Sequence, residues 1–375
     1  MARAPRPVSG DAPGDPGADA AAGEFGLIRR HFAGLSLPHG AAGVLLGIGD
    51  DCALLRPTPG VVQAVSTDML VEGRHFLAGT DARRLGRKCL AVNLSDLAAM
   101  GADPKYALLA LALPDADEAW VAAFAAGMGE LARTHGVALV GGDTTRGGRT
   151  ICITVIGEVP AQLALRRDAA LAGDDVWVSG ATGEAALGLA CLQGRIALPQ
   201  AARDACVARL EDPAPRVDLG GRLRGLAHAA IDVSDGLVAD LGHILEQSGM
   251  AAELSLDLLP RSAAMRAAEA IDAALARDCL FAGGDDYELA FTAPLQARGQ
   301  VAALAGELGV AVTRIGVVVP ESMRQGAPAG VPAQAASQRA AARVTVRDAA
   351  GLPLALARAG WDHFAPAAPT GRPEK

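Results

Sequence analysis

Five times in this chain an apolar or β-branched run feeds straight into a Gly- or Ser/Thr-rich turn that carries carboxylates: VLLGIGDD, VVQAVSTD, VALVGGDT, AAIDVSDG and CLFAGGDD. Runs of this composition predict strands that deliver acids to loops. Helical stretches lie between them. The clearest runs from Asp81 to Met100, with Asp81 as N-cap, Gly101 at its C-terminal end and Pro104 blocking continuation. A mixed α/β architecture follows, and Gly-rich strand ends are where open α/β sheets place ligands.

A chain of 375 residues exceeds the size at which single cores stop growing, so two domains are expected. Residues 157–173 carry Pro160 and the charged Arg166, Arg167 and Asp168, after which DDVWVSGATGEAALGLA opens a new strand-to-helix unit. The boundary is therefore expected near Pro160. The layout reads as a disordered tail at 1–22, an N-terminal domain at 23–160, a C-terminal α/β domain at 161–364 and a frayed end at 365–375. Within the second domain, residues 323–343 (MRQGAPAGVPAQAASQRAAAR) are too poor in large apolar side chains to build a core and read as a flexible insertion. Six scattered cysteines without metal-ligand spacing read as reduced, mostly buried thiols. With no leader-like apolar segment and no uncharged run of the about 18 residues that a span needs, a cytoplasmic protein is expected, without a membrane partner. The net charge of -8 argues against a nucleic-acid partner and leaves the acidic turns wanting a specific explanation.

One such turn is explained by the permissive backbones of Gly and Asp, or by Ser, Thr and Asp capping a helix; five are explained poorly that way. GIGDD lacks the third glycine of a dinucleotide loop, Cys52 standing in its place, and DVSDG breaks the alternating ligands of an EF-hand at Val233 and Ser234. Asn93 and Asp96 share one face of the helical stretch CLAVNLSDLAAM, where a carboxylate needs an arginine or a cation. If Asp51, Asp68, Asp96, Asp143, Asp232 and Asp235 converge, each close pair repels by about 4 kcal/mol at ~4 Å and an effective dielectric of about 20. Cations must then occupy the cluster. All-oxygen sites suit Mg2+, which shares its coordination with substrate phosphates, so the pattern points to nucleotide chemistry.

The chain's lysines, Lys88, Lys105 and Lys375, follow Arg87, Pro104 and Glu374, so no Walker A loop exists, and neither a V-A-I-K lysine nor an H-R-D loop is present. Phosphates must be gripped by metals, backbone and arginine. Arg146 and Arg167 are the candidates, with solvated loop arginines as the alternative.

In order from Gly23 to Phe364, GEFGLI, GIGDDCALL, STDMLVEGRHF, AVNLSDLAAMGADP, GGDTTRG, IDVSDGL, GGDDYEL and GWDHF resemble the motifs of the thiamine-monophosphate kinase family. The resemblance implies the two-domain aminoimidazole ribonucleotide synthetase-like fold and a homodimer, the N-terminal domain dimerising through its sheet. It also implies ATP and thiamine monophosphate as substrates, several Mg2+ ions, and direct in-line phosphoryl transfer. Asp51, Thr67, Asp68, Asp96, Asp143, Asp232 and Asp235 then fall on magnesium positions, with Ser66 as a weaker ligand. Gly142, Asp143, Arg167 and Ser234 fall on ATP positions, and His75, Glu288 and Trp361 on acceptor positions. Each of the last three keeps an ordinary alternative: a satisfied histidine after a turn, a glutamate paired with arginine, a tryptophan anchoring the tail beside Phe364. Two departures from the family pattern stand out: Asp285 where glutamate is expected, and the length of the 323–343 insertion. Two rival readings remain at this level. One is another ATP-dependent enzyme of the same superfamily, acting on a purine precursor or on selenide, although no reactive cysteine precedes Cys52. The other is a non-catalytic nucleotide or metal sensor.

Overall fold

The structure, a computed structural model, describes residues 24–35, 43–323, 340–356, 358, 360 and 361. The expected tails at 1–22 and 365–375 and most of the 323–343 insertion lie outside the described residues. The first half contains α1 (Glu24–Leu27), β1 (Val44–Leu46), β2 (Leu54–Leu55), β3 (Val62–Val71), α2 (Ala82–Ala99), β4 (Asp103–Leu113), α3 (Glu118–Thr134), β5 (Ala138–Arg146) and β6 (Thr150–Val159). Four of these strands form a sheet in the order β3-β6-β4-β5, with only β4 and β5 parallel.

Helix α2 begins where the Asp81 side chain accepts from the Arg84 N–H at 2.9 Å, and the chain leaves it through Gly101 at φ +65°. It packs on α3 at close range: a Cβ on Gly86 would stand 2.1 Å from the Phe124 carbonyl oxygen, and one on Gly127 1.9 Å from that of Arg83. Only glycine lets the two backbones meet this closely. Leu70, Leu109, Leu111, Ile151, Ile153 and Val155 are buried in the core that α2 and α3 share with the sheet, every second residue of their strands. Val65 and Met69 alternate onto the opposite face of β3 and are exposed.

The second half contains β7 (Asp175–Ser179), α4 (Glu184–Leu192), α5 (Gln200–Glu211), α6 (Val217–Leu223), β8 (Ala229–Asp232), α7 (Leu237–Ser248), β9 (Met250–Ser255), α8 (Ala263–Ile271), α9 (Ala273–Ala282), β10 (Leu289–Ala293), α10 (Arg298–Leu308), β11 (Val312–Pro320) and β12 (Val344–Arg347). Its strands form a six-stranded sheet, β12-β9-β11-β7-β10-β8, antiparallel except for β12 beside β9. Val176, Val178, Ile231 and Ala290 bury one face under α4, α7 and α9. Trp177 and Phe291, stacked with centroids 6.2 Å apart, belong to a core that continues through Leu90 and Leu97 of α2 to the first sheet. Helix α2 is therefore a wall common to both sheets, and a side chain on it can meet groups from either.

The structure corrects the sequence reading at several points. The CLFA run is the last turn of α9, not a strand: the Asp272 carboxylate caps that helix through the N–H groups of Ala274 and Leu275. A four-residue apolar run fits either period, and the cap decides. Ser66 to Asp68 and the GGDTTR segment are not turns but the bodies of β3 and β5. At the end of the 323–343 insertion, Ala340 and Ala341 are buried, small enough to pack without large apolar side chains. The cysteines are free thiols, but only Cys89, Cys206 and Cys279 are buried, and Cys52 is exposed. Among the described residues no helix is long and apolar enough to cross a membrane.

Candidate functional site

The alternation of β3 turns Ser66 and Asp68 toward α2. The Ser66 hydroxyl donates to Asp96 Oδ2, and Asn93 Oδ1 accepts from the Asp68 N–H at 3.1 Å. Asn93 is itself fixed, its Nδ2 donating to the Cys89 carbonyl at 3.0 Å. From the second sheet, Asp232 at the end of β8 arrives buried and within the field of Asp96 and Asp68, while Arg167 sets its positive charge against Asp96 and Asp232. Burial, then the neighbouring Asp96, pushes the Asp68 carboxyl up from 3.8 to about 6, and the same causes push Asp232 up to about 7. Asp96 is raised by burial, against the pull of Ser66 and Arg167. The buried Ser95 hydroxyl adjoins Asp232 yet closes no well-formed hydrogen bond.

These residues fit a hard divalent cation. The donors are oxygens, the carboxylates repel one another out of water, and an orphaned hydroxyl stands at their side, which ordinary packing would not leave unpaired. Among the described residues no three His, Cys, Asp or Glu side chains stand close enough together to hold a metal ion by themselves. A cation that keeps waters and takes phosphate oxygens does not require that.

The remaining expected residues divide. In the turn after β8, Asp240 Oδ2 accepts from the N–H groups of Ser234 (2.9 Å), Asp235 (3.0 Å) and Gly236 (3.0 Å), so the backbone that presents Asp232 and Asp235 is locked from inside. Sequence reading missed Asp240; its signal was a carboxylate in the first turn of the helix that follows DVSDG, where free N–H groups gather. Trp361 joins this turn, its N–H donating to the Asp235 carbonyl at 2.9 Å while its side chain stays 43% exposed.

Thr67 and Asp143 face elsewhere. Register runs Asp68 to Ile153 to Leu109 to Gly142 on the α2 side, whereas Thr67 pairs with Thr154, their hydroxyls 2.7 Å apart, and Asp143 pairs with Ala110 on the other side. Asp143 is also three strand spacings from β3, about 14 Å at ~4.8 Å each. Asp51 lies exposed between β1 and β2. Gly142 has a structural reason to be glycine: at φ +151° its Cβ would stand 1.9 Å from the Leu109 carbonyl oxygen. Arg146 is exposed and donates to the Pro114 carbonyl. His75 Nδ1 accepts from the Val71 N–H at 3.0 Å. Glu288 takes the arginine-paired form: it is fully buried and accepts from Ser179 Oγ (2.5 Å), Arg209 Nη2 (2.5 Å) and Arg216 Nε (2.6 Å).

Two family descriptions match this chain: AIR synthase related protein, N-terminal domain, over residues 49–159, and AIR synthase related protein, C-terminal domain, over residues 173–325. A thiamine-monophosphate kinase of Salmonella typhimurium is 42% identical over 347 residues, 92% of this chain and 99% of its own. The chain belongs to the thiamine-monophosphate kinase family. Among solved structures, the thiamine-monophosphate kinase from Stenotrophomonas maltophilia aligns with a TM-score of 0.72 at 49% identity, covering 78% of this chain and 93% of that one. AaThiL complexed with AMPPCP and TMP aligns with a TM-score of 0.68 at 29% identity, covering 82% of this chain and 89% of that one. The mixed α/β fold with two domains of the AIR synthase related type is the one that the family motifs led us to expect.

Proposed function

We infer that this chain transfers the γ-phosphoryl group of ATP to thiamine monophosphate, giving ADP and thiamine diphosphate. The observation that carries this reading is the meeting of Asp68, Asp96 and Asp232, brought from two sheets to one place under the charge of Arg167. Such a cluster costs stability unless cations fill it, and cations of this kind serve phosphates. The relative complexed with AMPPCP and TMP supports the choice of substrates, TMP being read as thiamine monophosphate.

Asp68, Asp96 and Asp232 would hold Mg2+, with Asp51, Ser66, Thr67, Asp143 and Asp235 completing the set. Bound there, the ions would neutralise charge on the two polyanions and hold them in line. Arg167 would grip ATP phosphate with Gly142, Asp143 and Ser234, and Trp361 would stack on the acceptor's heterocycle near His75. Glu288, expected to touch the acceptor, is buried and would serve instead by holding Arg209 and Arg216 in place. No general base is needed: a phosphate monoester loses its second proton near a pKa of about 6 and arrives as the nucleophile. The reaction consumes ATP, which assigns it to the cytoplasm.

The enzyme works as a homodimer in this reading. Val65 and Met69, 61% and 56% exposed, form an apolar row on the face of β3 turned away from α2, and β3 and β5 are both edge strands. Joining β5 of each copy to β3 of the other would close the two four-stranded sheets into one eight-stranded barrel, which turns that row inward and places Thr67 of one copy and Asp143 of the other on the same face of a continuous sheet. The test of the function is ADP release with thiamine monophosphate or free thiamine as acceptor, with the product identified. A preference of at least about a hundredfold in kcat/KM for the monophosphate is expected, because free thiamine offers an alcohol that needs a base and lacks the phosphate contacts. Equal efficiencies would indicate a thiamine kinase, and no turnover at all a sensor.

A further inference from the structure

We propose that Ser248 is a positioning residue for ATP, holding the turn from which Arg167 reaches the carboxylate cluster; this rests on the kinase reading above, in which Arg167 grips ATP phosphate. Ser248 is the last residue of α7. Its Oγ donates to the Arg167 carbonyl at 2.9 Å and accepts from the Ala170 N–H at 3.1 Å. One atom thus donates and accepts within a single short loop, which on so short a stem only a hydroxyl can do.

That loop is a strap between the two cores. At one end Leu165 is buried in the core shared with the first sheet, and its N–H donates to the Met100 carbonyl at 3.1 Å, where α2 ends. At the other end Ala170 is buried in the core of the second sheet. Between them Arg167 is exposed. Its neighbours Arg166 and Asp168 pair with each other at 2.9 and 2.5 Å, so two of three successive charges cancel and Arg167 keeps its own for the site. A long exposed side chain has many rotamers, and its reach is only as definite as the backbone from which it starts. Ser248 fixes that backbone.

Two helices set where the turn stands. In the first turn of α7, Asp240 locks the backbone that presents Asp232 and Asp235. Ser248 follows eight residues later, about 12 Å of helix rise at ~1.5 Å per residue. On α2, the Met100 N–H donates to the Asp96 carbonyl at 3.1 Å, so the anchor of Leu165 is one turn from Asp96. The turn is therefore referenced at one end to the helix that carries Asp96 and at the other to the helix that follows Asp232 and Asp235. The side chain keeps the same company: burial and then the Arg167 charge hold His243 of α7 below its ordinary value, and the same charge acts on Asp96 and Asp232. Without the Ser248 hydroxyl the strap keeps its tie to α2 but loses its tie to α7, while the carboxylates keep theirs.

The experiment titrates the full chain with the ATP analogue AMPPCP and Mg2+ by calorimetry, for wild type, Ser248→Ala, Arg167→Ala and the double variant, beside steady-state kinetics with each substrate varied. Ser248→Ala is expected to raise the Kd for the analogue and the KM for ATP at least about fivefold, and to leave the KM for thiamine monophosphate within about twofold. Arg167→Ala should lose more, and the double variant no more than Arg167→Ala, because Ser248 acts only through that arginine. Ser248→Thr, which keeps the hydroxyl, should bind the analogue within about twofold of wild type. A merely structural serine would weaken binding by the same factor whether or not Arg167 is present, or move both KM values alike; either result, or unchanged binding in Ser248→Ala, overturns the proposal. Should Ser248→Ala fail to fold, Ser248→Val against Ser248→Thr, the same shape without and with the hydroxyl, decides. Wild-type protein that binds AMPPCP but leaves thiamine monophosphate unphosphorylated would instead overturn the functional reading, while the binding comparison still decides the role of Ser248.

Discussion

The two faces of β3 have different partners although their residues alternate one by one along the strand. On one, Ser66 and Asp68 meet Asp96 of α2 and Asp232 of the second sheet, and the carboxyl groups are forced upward in pKa by burial and by one another. On the other, one residue away, the Thr67 hydroxyl meets that of Thr154, and Val65 and Met69 stand in solvent. A strand's period of two has divided one short acidic motif between two partners: the rest of its own chain, and whatever covers the outer face. The motif S-T-D is thus not a single constellation but two half-sites back to back.

The largest effect should come from the inner face. Asp68→Asn and Asp232→Asn are each expected to lower kcat at saturating Mg2+ by about a thousandfold or more, the scale of losing a group that stabilises transition-state charge. The same variants should melt no lower than wild type in EDTA, since an amide replaces a carboxylate that is costly to bury. Calorimetric melting beside coupled ADP release measures both. Near-normal turnover in either variant would remove the metal role from this face.

A smaller and sharper effect addresses the outer face. Asp143→Asn should also be inactive if Asp143 completes the site of a second copy. Mixing it with Asp68→Asn protomers, after dissociation and reassociation, should then restore about a quarter of wild-type activity, because half of the random dimers are mixed and each of those has one intact site. If Asp143 instead serves its own chain, or if the chain stays monomeric, mixing recovers nothing.

Much of this was legible in the sequence, and the remainder was not for reasons of physics. The cap at Asp81, the one-face placement of Asn93 and Asp96, and the acids themselves could be read from spacing, because helix period and cap chemistry are local. Which acids meet could not be read. Asp68 and Asp232 are joined by tertiary packing across two sheets, and whether Asp143 points toward or away from them depends on strand register, which no local pattern records. The CLFA run misled because four apolar residues carry no period. Asp240 escaped because its partners are three backbone N–H groups, and its one signal, a carboxylate in the first turn after DVSDG, is shared with ordinary helix starts.

The smallest expected effect is one of pH, and it compares the inner face with and without its cation. Asp68 and Asp232 have folded-state values raised to about 6 and about 7 from 3.8. The folded chain then holds protons that the unfolded chain has already released between pH of about 4 and about 7, so the contribution of these groups to stability falls as pH rises through that window and is flat above it. A divalent cation must displace those protons to bind, which makes its own stabilisation small near pH 5 and full near pH 8. The rise in melting temperature produced by a fixed, saturating excess of Mg2+ should therefore be a few degrees larger at pH 8 than at pH 5. Asp143→Asn, on the face whose carboxylate is exposed, should keep that difference, and Asp232→Asn should shrink it. An Mg2+ effect independent of pH in the wild-type protein would mean that the buried carboxylates are not where the cation binds, and the contrast between the two faces would lose its chemical meaning.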